Sequence, residues 1–161
     1  VRSPRLDGLA RSGTLFRSAF STAPQCSPAR GALATGRYPH STGLLGLAHR
    51  PYEWDLHEGV QPIASVLQQS GYQTHLFGFQ HISPSIDRLG FQHIHSRKGK
   101  ALGSSVADEI GAFLDAGTPG TPFYIEANLQ EAHRPYDRGA SDPDDSLSLD
   151  LGVEVPAYLP D

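Results

Sequence analysis

A chain of 161 residues in which 13 Lys and Arg face 17 Asp and Glu has the size of one domain and a net charge of −4. No overall field draws a polyanion to it, so nucleic-acid binding ranks low. Its single cysteine excludes an intrachain disulfide without identifying a compartment, and no apolar run approaches the roughly 20 residues of a membrane span. The sequence starts Val1-Arg2-Ser3 and contains no Met, which leads us to expect a processed product or a piece of a longer chain. Val1 to Ser12 lacks the pattern of a secretory signal, and export stays open because a mature terminus looks the same.

Ser3-Pro4, with Leu6, Leu9 and Ala10 at helical spacing before Gly13, predicts a short helix. Thr14 to Phe20 reads as a strand. Ser27-Pro28 predicts a second helix, with Ser27 as its cap, Cys26 just outside it and Gly36 as its left-handed stop. A third helix opens at Gln61-Pro62, presents Ile63, Val66 and Leu67 on one face, and closes at Gly71 before a strand over Tyr72 to Phe79. A fourth carries Val106, Ile110, Phe113 and Leu114 on one side and ends at Gly117, followed by a turn and a strand over Phe123 to Leu129. Helix, turn and strand recurring in this way predict an α/β layered fold with a largely parallel sheet. The acidic stretch Ser141 to Asp150, within a probable loop over 139–154, reads as a solvated loop; Pro143 and the lack of a turn glycine and final glutamate argue against a calcium loop.

The chemistry gathers around Cys26-Ser27-Pro28-Ala29-Arg30. A sulfur at the positive end of a helix with a guanidinium one turn later suits a negative charge. A packed thiol with Arg30 on the surface is the bland alternative. The run continues as Leu33-Ala34-Thr35-Gly36-Arg37, and CSPARGALATGR resembles the sulfatase signature C-x-P-x-R followed by L-x-T-G-R. A cysteine-phosphatase loop is excluded, because only three residues separate Cys26 from Arg30. Leu6 to Ala10, Tyr38-Pro39-His40 with Gly43, Gly71-Tyr72-Gln73-Thr74 through Gly78 to His81, and Glu131-Ala132-His133-Arg134-Pro135 extend the resemblance over almost the whole chain. It is of the arylsulfatase A and N-sulfoglucosamine sulfohydrolase kind.

The resemblance implies a sulfatase (alkaline-phosphatase-like) α/β fold, a mixed, largely parallel sheet flanked by helices, with residues 1–161 forming part of a single catalytic domain. It implies a sulfuric ester hydrolase acting on a sulfated small molecule or sulfated sugar. Cys26 would be converted by a formylglycine-generating maturation enzyme to an aldehyde whose hydrate attacks sulfur, and Arg30 would neutralise sulfate oxygens. His81 and His133, each just past a strand where open α/β sheets place their sites, would serve the diol and the leaving group respectively. His93 and His95 share a strand face at a spacing that can ligate metal, but a solvated face is expected; His40, His49, His57 and His75 read as structural or surface residues.

The family's calcium would be bound by the formylglycine at position 26 and by carboxylates that are not visible here. Its aspartate pair is expected before Val1 and its second pair beyond Asp161. Phe79 stands where the resemblance places a lysine, a loss that would cost on the order of 10² to 10³ in rate without a substitute. The alternatives are therefore a phosphate or phosphonate ester hydrolase of the same superfamily and a catalytically silent anion-binding homologue. Many relatives are periplasmic, extracellular or lysosomal, and a cytoplasmic location is compatible with the sequence.

Overall fold

A computed structural model describes residues 3–95, 103–117, 120–130 and 133. They fall in two units, one containing residues 3–20 and the other residues 21–133. The acidic loop expected around Ser141 to Asp150 lies outside the described residues.

In the first unit α1 spans Pro4–Ser12, starting at the proline that fits a first helical turn. Ser3 Oγ donates to Asp7 Oδ1 at 3.1 Å, which ties the turn from outside. The strand expected over Thr14 to Phe20 does not form. Alternating apolar residues make a strand only when a neighbour takes up their backbone bonds, and here Leu15, Phe16 and Phe20 stay exposed.

In the second unit a three-stranded parallel sheet has the order β2-β1-β3, with β1 at Gln73–Gly78, β2 at His93–Ile94 and β3 at Phe123–Asn128. β1 is central, and its Thr74, His75, Leu76 and Phe77 are all buried, as expected of a strand covered on both faces. Two parallel strands in one sheet need a crossover, and α5 (Gly103–Asp115) supplies it between β2 and β3. Val106, Ile110 and Phe113 of α5 pack with Phe77, Phe79 and Ile125. A second cluster joins Ala34, Leu44, Ala48, Leu56, Ile82 and Leu89. Through Ala34 it holds α2 (Cys26–Thr35), which contacts the short α3 (Pro39–Thr42) and α4 (Ile63–Gln69), and α4 in turn contacts β1. The α/β class and parallel sheet thus stand as the helix–turn–strand recurrence predicts.

Two details differ from expectation. α2 begins at Cys26 itself, with Gln25 in the capping position, and Ser27 does not cap it. The fully buried Ser27 Oγ instead accepts a hydrogen bond from the Ala48 backbone N–H at 3.0 Å. His93 of β2 is exposed, as a solvated face predicts, but it and His95 just past the strand also face a third histidine. His75 of β1 pairs in register with His93, its ring stacks on that ring at 4.5 Å, and its Nδ1 lies 3.1 Å from Nε2 of His95. His95 in turn stacks on Phe77 at 4.0 Å. The three rings are near parallel, so they pack as an aromatic ladder.

The turn before β2 depends on Gly90, whose φ of +80° suits only glycine and whose missing Cβ would lie 2.3 to 2.5 Å from Ser65. Gly90→Ala is expected to destabilise by about 2–4 kcal/mol, read as a drop in urea midpoint. The histidine ladder adds a pH dependence. Burial, then the charges of His93 and His95, push His75 down to about 4; burial also lowers His95, opposed by Glu109 of α5. A lowered imidazole pKa means that the folded state resists protonation. Its contribution is therefore complete above about pH 6.5 and is lost as pH falls from there toward 4. Thermal unfolding followed across that window is expected to show the loss, and His75→Phe to flatten it.

Candidate functional site

Three segments deliver the site. α2 brings Cys26 in its first turn and Arg30 one turn later; His81 follows the end of β1, and His133 follows the end of β3. The sulfur of Cys26 and one ring nitrogen from each of His81 and His133 lie within 4.8 Å of one another. All three side chains are half-buried. The structure therefore brings together the four residues singled out in the sequence, because Arg30 joins them through Phe79.

The segment after β1 is held rigidly. Gln80 Oε1 accepts from the backbone N–H groups of Ile82 and Ser83 at 2.7 and 3.1 Å, and its Nε2 donates to the Ser83 carbonyl at 2.8 Å. With Ile82 anchored in the core, His81 has little freedom to leave. Its ring meets His133 edge-on at 5.2 Å and Phe79 at 4.9 Å. Burial first, then the charges of His133, Arg30 and His49, push His81 down to about 4. It is a neutral imidazole at neutral pH, and its buried Nδ1 has no hydrogen-bond partner among the described residues.

Phe79 lies at the centre. The Arg30 guanidinium carbon lies 5.0 Å from the Phe79 ring centroid, a cation–π contact. Arg30 Nη1 also donates to Asn128 Oδ1 at 2.8 Å, and Asn128 Nδ2 donates to Glu126 Oε1 at 2.8 Å. An amide thus stands between the guanidinium and the carboxylate. Arg30 is positioned by a neutral acceptor and an aromatic face, and neither cancels its charge.

His49 lies on the surface, as expected, and its ring is 5.8 Å from that of His81, a proximity that the sequence did not announce. The Ser27–Ala48 hydrogen bond brings it there, a tertiary contact that no local pattern announces.

A thiol and two imidazoles suit a borderline or soft divalent cation. Calcium asks for several hard oxygens. No carboxylate belongs to this group, so the described residues do not fit calcium.

The sequence profile of the sulfatase family matches residues 1–145, and the chain belongs to that family. Over 84 residues it is 36% identical to human N-sulphoglucosamine sulphohydrolase, covering 52% of this chain and 17% of that protein. It is 29% identical over 139 residues to the Delta 4,5-hexuronate-2-O-sulfatase of Bacteroides thetaiotaomicron, covering 80% of this chain and 28% of the relative. The chain thus spans less than a third of either. Its fold matches that of BT4656, solved with D-glucosamine-2-N,6-O-disulfate, with a TM-score of 0.67 at 22% identity over 83% of this chain and 30% of that one. The fold is accordingly the alkaline-phosphatase-like α/β fold of sulfatases, with its helices flanking a largely parallel sheet.

The geometry makes Asn128 a sensitive position. Asn128→Asp replaces the amide with a carboxylate at 2.8 Å from Arg30 and pairs its charge. Affinity for inorganic sulfate is expected to fall about tenfold or more by calorimetric titration, while Asn128→Gln is expected to lose less.

Proposed function

We propose that the protein containing this chain hydrolyses a sulfate ester or sulfamate, using a formylglycine made from Cys26. The observation that carries this reading is the convergence of Cys26, His81 and His133 beside Arg30, in a chain of the sulfatase family. Family membership supports sulfate-ester hydrolysis in general; the roles below extend it.

Cys26 at the start of α2 meets unpaired backbone N–H groups, which favour negative charge. Converted to an aldehyde and hydrated, residue 26 would offer one hydroxyl to the sulfur while the S–O or S–N bond to the leaving group breaks. The second hydroxyl would then lose its proton as the carbonyl re-forms and the C–O bond to sulfate breaks, releasing sulfate and restoring the aldehyde. Arg30 supplies the cation for the sulfate oxygens. His81, neutral at physiological pH, would accept the proton of the diol, and His133 would donate one to the leaving oxygen or nitrogen. Phe79 brings no charge; it holds Arg30 and walls the site between the two histidines. Calcium, implied by the family resemblance, finds no carboxylate in the Cys26, His81 and His133 group of the described residues, and no step is assigned to it.

The names of the relatives favour a sulfated sugar as substrate, and a formylglycine-generating enzyme is the required maturation partner. We read the chain as part of one catalytic domain. Phe79 in place of a lysine favours a second reading, a silent anion-binding homologue.

Mass spectrometry of the Cys26 peptide, after co-expression with a maturation enzyme, tests the reading together with turnover of paired sulfate and phosphate esters. An aldehyde at residue 26, turnover of sulfate esters, and loss of that turnover in Cys26→Ala are expected. A thiol throughout would overturn the hydrolase, and an aldehyde without turnover would establish the binding homologue. Arg30→Ala is expected to lower kcat/KM by about 10² to 10³.

A further inference from the structure

Two cavities flank the site. The first, about 290 Å³, is lined by Arg30, Leu33 and Ile63 and by the consecutive residues Tyr124 to Asn128 of β3. A run of consecutive strand residues presents a backbone edge, because successive side chains point to opposite faces. That cavity is the open side of a sheet among the described residues. The second, about 310 Å³, has a different character. It opens on His81 and is lined by Ala48, His49, Arg50, Glu53, Gln80 and Ser83, a wall of side chains bearing both donors and acceptors.

We propose that the loop from Leu47 to Trp54 forms the subsite for the group that leaves sulfate, and that it selects a hydroxylated sugar ring. This rests on the sulfatase reading above and names the specificity element of the same site.

The loop is built to hold one shape. Trp54 N–H donates to the Leu47 carbonyl at 3.1 Å, closing the loop, and Tyr52 N–H donates to the His49 carbonyl at 3.1 Å inside it. Gly46 leaves room for the Trp54 indole, which would lie 2.5 Å from any Cβ placed there. Glu53 sits at φ +51°, a left-handed conformation that a non-glycine residue adopts only under constraint. The Ser27–Ala48 hydrogen bond ties this loop to the residue next to Cys26.

Its chemistry fits ring hydroxyls. His49 Nδ1 lies 2.9 Å from the Arg50 carbonyl, which can only accept, so Nδ1 donates there and Nε2 is left for a ligand hydroxyl, itself both donor and acceptor. Arg50 and Glu53 stand 3.1 Å apart on the same wall, a donor beside an acceptor with no net charge. Neighbouring hydroxyls on a sugar, each both donor and acceptor, match that pair. An unsubstituted aryl ring offers it nothing. The exposed Tyr52 ring meets His49 edge-on at 5.9 Å and adds an apolar face beside the cavity.

The test uses the whole matured protein. Kcat/KM is measured for a panel of monosaccharide sulfates that includes D-glucosamine-2-N,6-O-disulfate, and for 4-nitrophenyl sulfate. The readout is the ratio of sugar to aryl kcat/KM. His49→Ala and Arg50→Ala are each expected to lower that ratio about tenfold, chiefly through KM for the sugar, with His49→Gln in part preserving it. An unchanged ratio in a protein that turns over both classes overturns the subsite and leaves the sulfatase reading standing. Equal losses on both classes also overturn it, by assigning His49 to the chemistry. Turnover of the aryl ester with no sugar sulfate excludes a sugar subsite. Turnover of neither class in a protein whose residue 26 is an aldehyde removes the sulfatase reading and this inference with it.

Discussion

Because β1 and β3 pair in parallel over six residues, from Gln73 opposite Phe123 to Gly78 opposite Asn128, both strands release the chain at the same end of the sheet. The residues just beyond those ends, His81 and His133, are therefore neighbours although 51 positions separate them. An antiparallel pair would have sent one of them to the opposite edge. The hydrogen bond from Arg30 to Asn128, the last residue of β3, then draws the first turns of α2 to that same end. Everything proposed about chemistry depends on this pairing. A nucleophile precursor, two imidazoles and a cation come from three segments that only the parallel sheet brings together.

The electrostatics of the site follow from what surrounds each group. His81 loses affinity for a proton because it is buried beside Arg30 and other imidazoles. The Arg30 guanidinium is held by an amide and an aromatic ring, neither of them an anion. The outcome is a pocket in which the Arg30 cation stands beside a neutral His81, which suits an anionic group better than a cationic one. Phe79 takes on meaning in that setting. At a position where the resemblance places a lysine, a second cation would stand beside Arg30 and lower His81 further. The phenyl ring gives up that charge and instead orients the cation that remains.

Much of this was legible in the sequence wherever a local rule acts alone. Pro4, Pro62, Gly36 and Gly71 mark helix ends by the φ values they impose or allow, and α1, α2 and α4 stop and start within a residue or two of them. The signature around Cys26 is legible because catalysis demands specific residue types at short spacing. What escaped depends on partners distant in the chain. Leu15, Phe16 and Phe20 have a strand pattern but pair with no strand among the described residues. Ser27 can cap a helix or accept from a loop, and the choice belongs to Ala48, 21 residues away. His75 looked ordinary because its meaning lies in the register that sets it against His93.

Ser27 shows how closely the two halves of the site are joined. Spending its hydroxyl on Ala48 leaves α2 without a side-chain cap, a loss of the order of 1 kcal/mol relative to a capped helix. The buried hydroxyl and the Ala48 N–H satisfy one another, and leaving either unpaired would cost about 1–3 kcal/mol. Anchoring the loop therefore outweighs capping the helix. The result is that the residue next to Cys26 sets the position of the segment carrying His49, Arg50 and Glu53. If that loop holds a substrate as proposed, the Ser27–Ala48 hydrogen bond and the packing of Ala48 with Ala34 register it against α2, so recognition and chemistry share one reference point. Positioning of this kind, in which reacting groups are fixed relative to one another before chemistry begins, is where much of an enzyme's rate advantage originates.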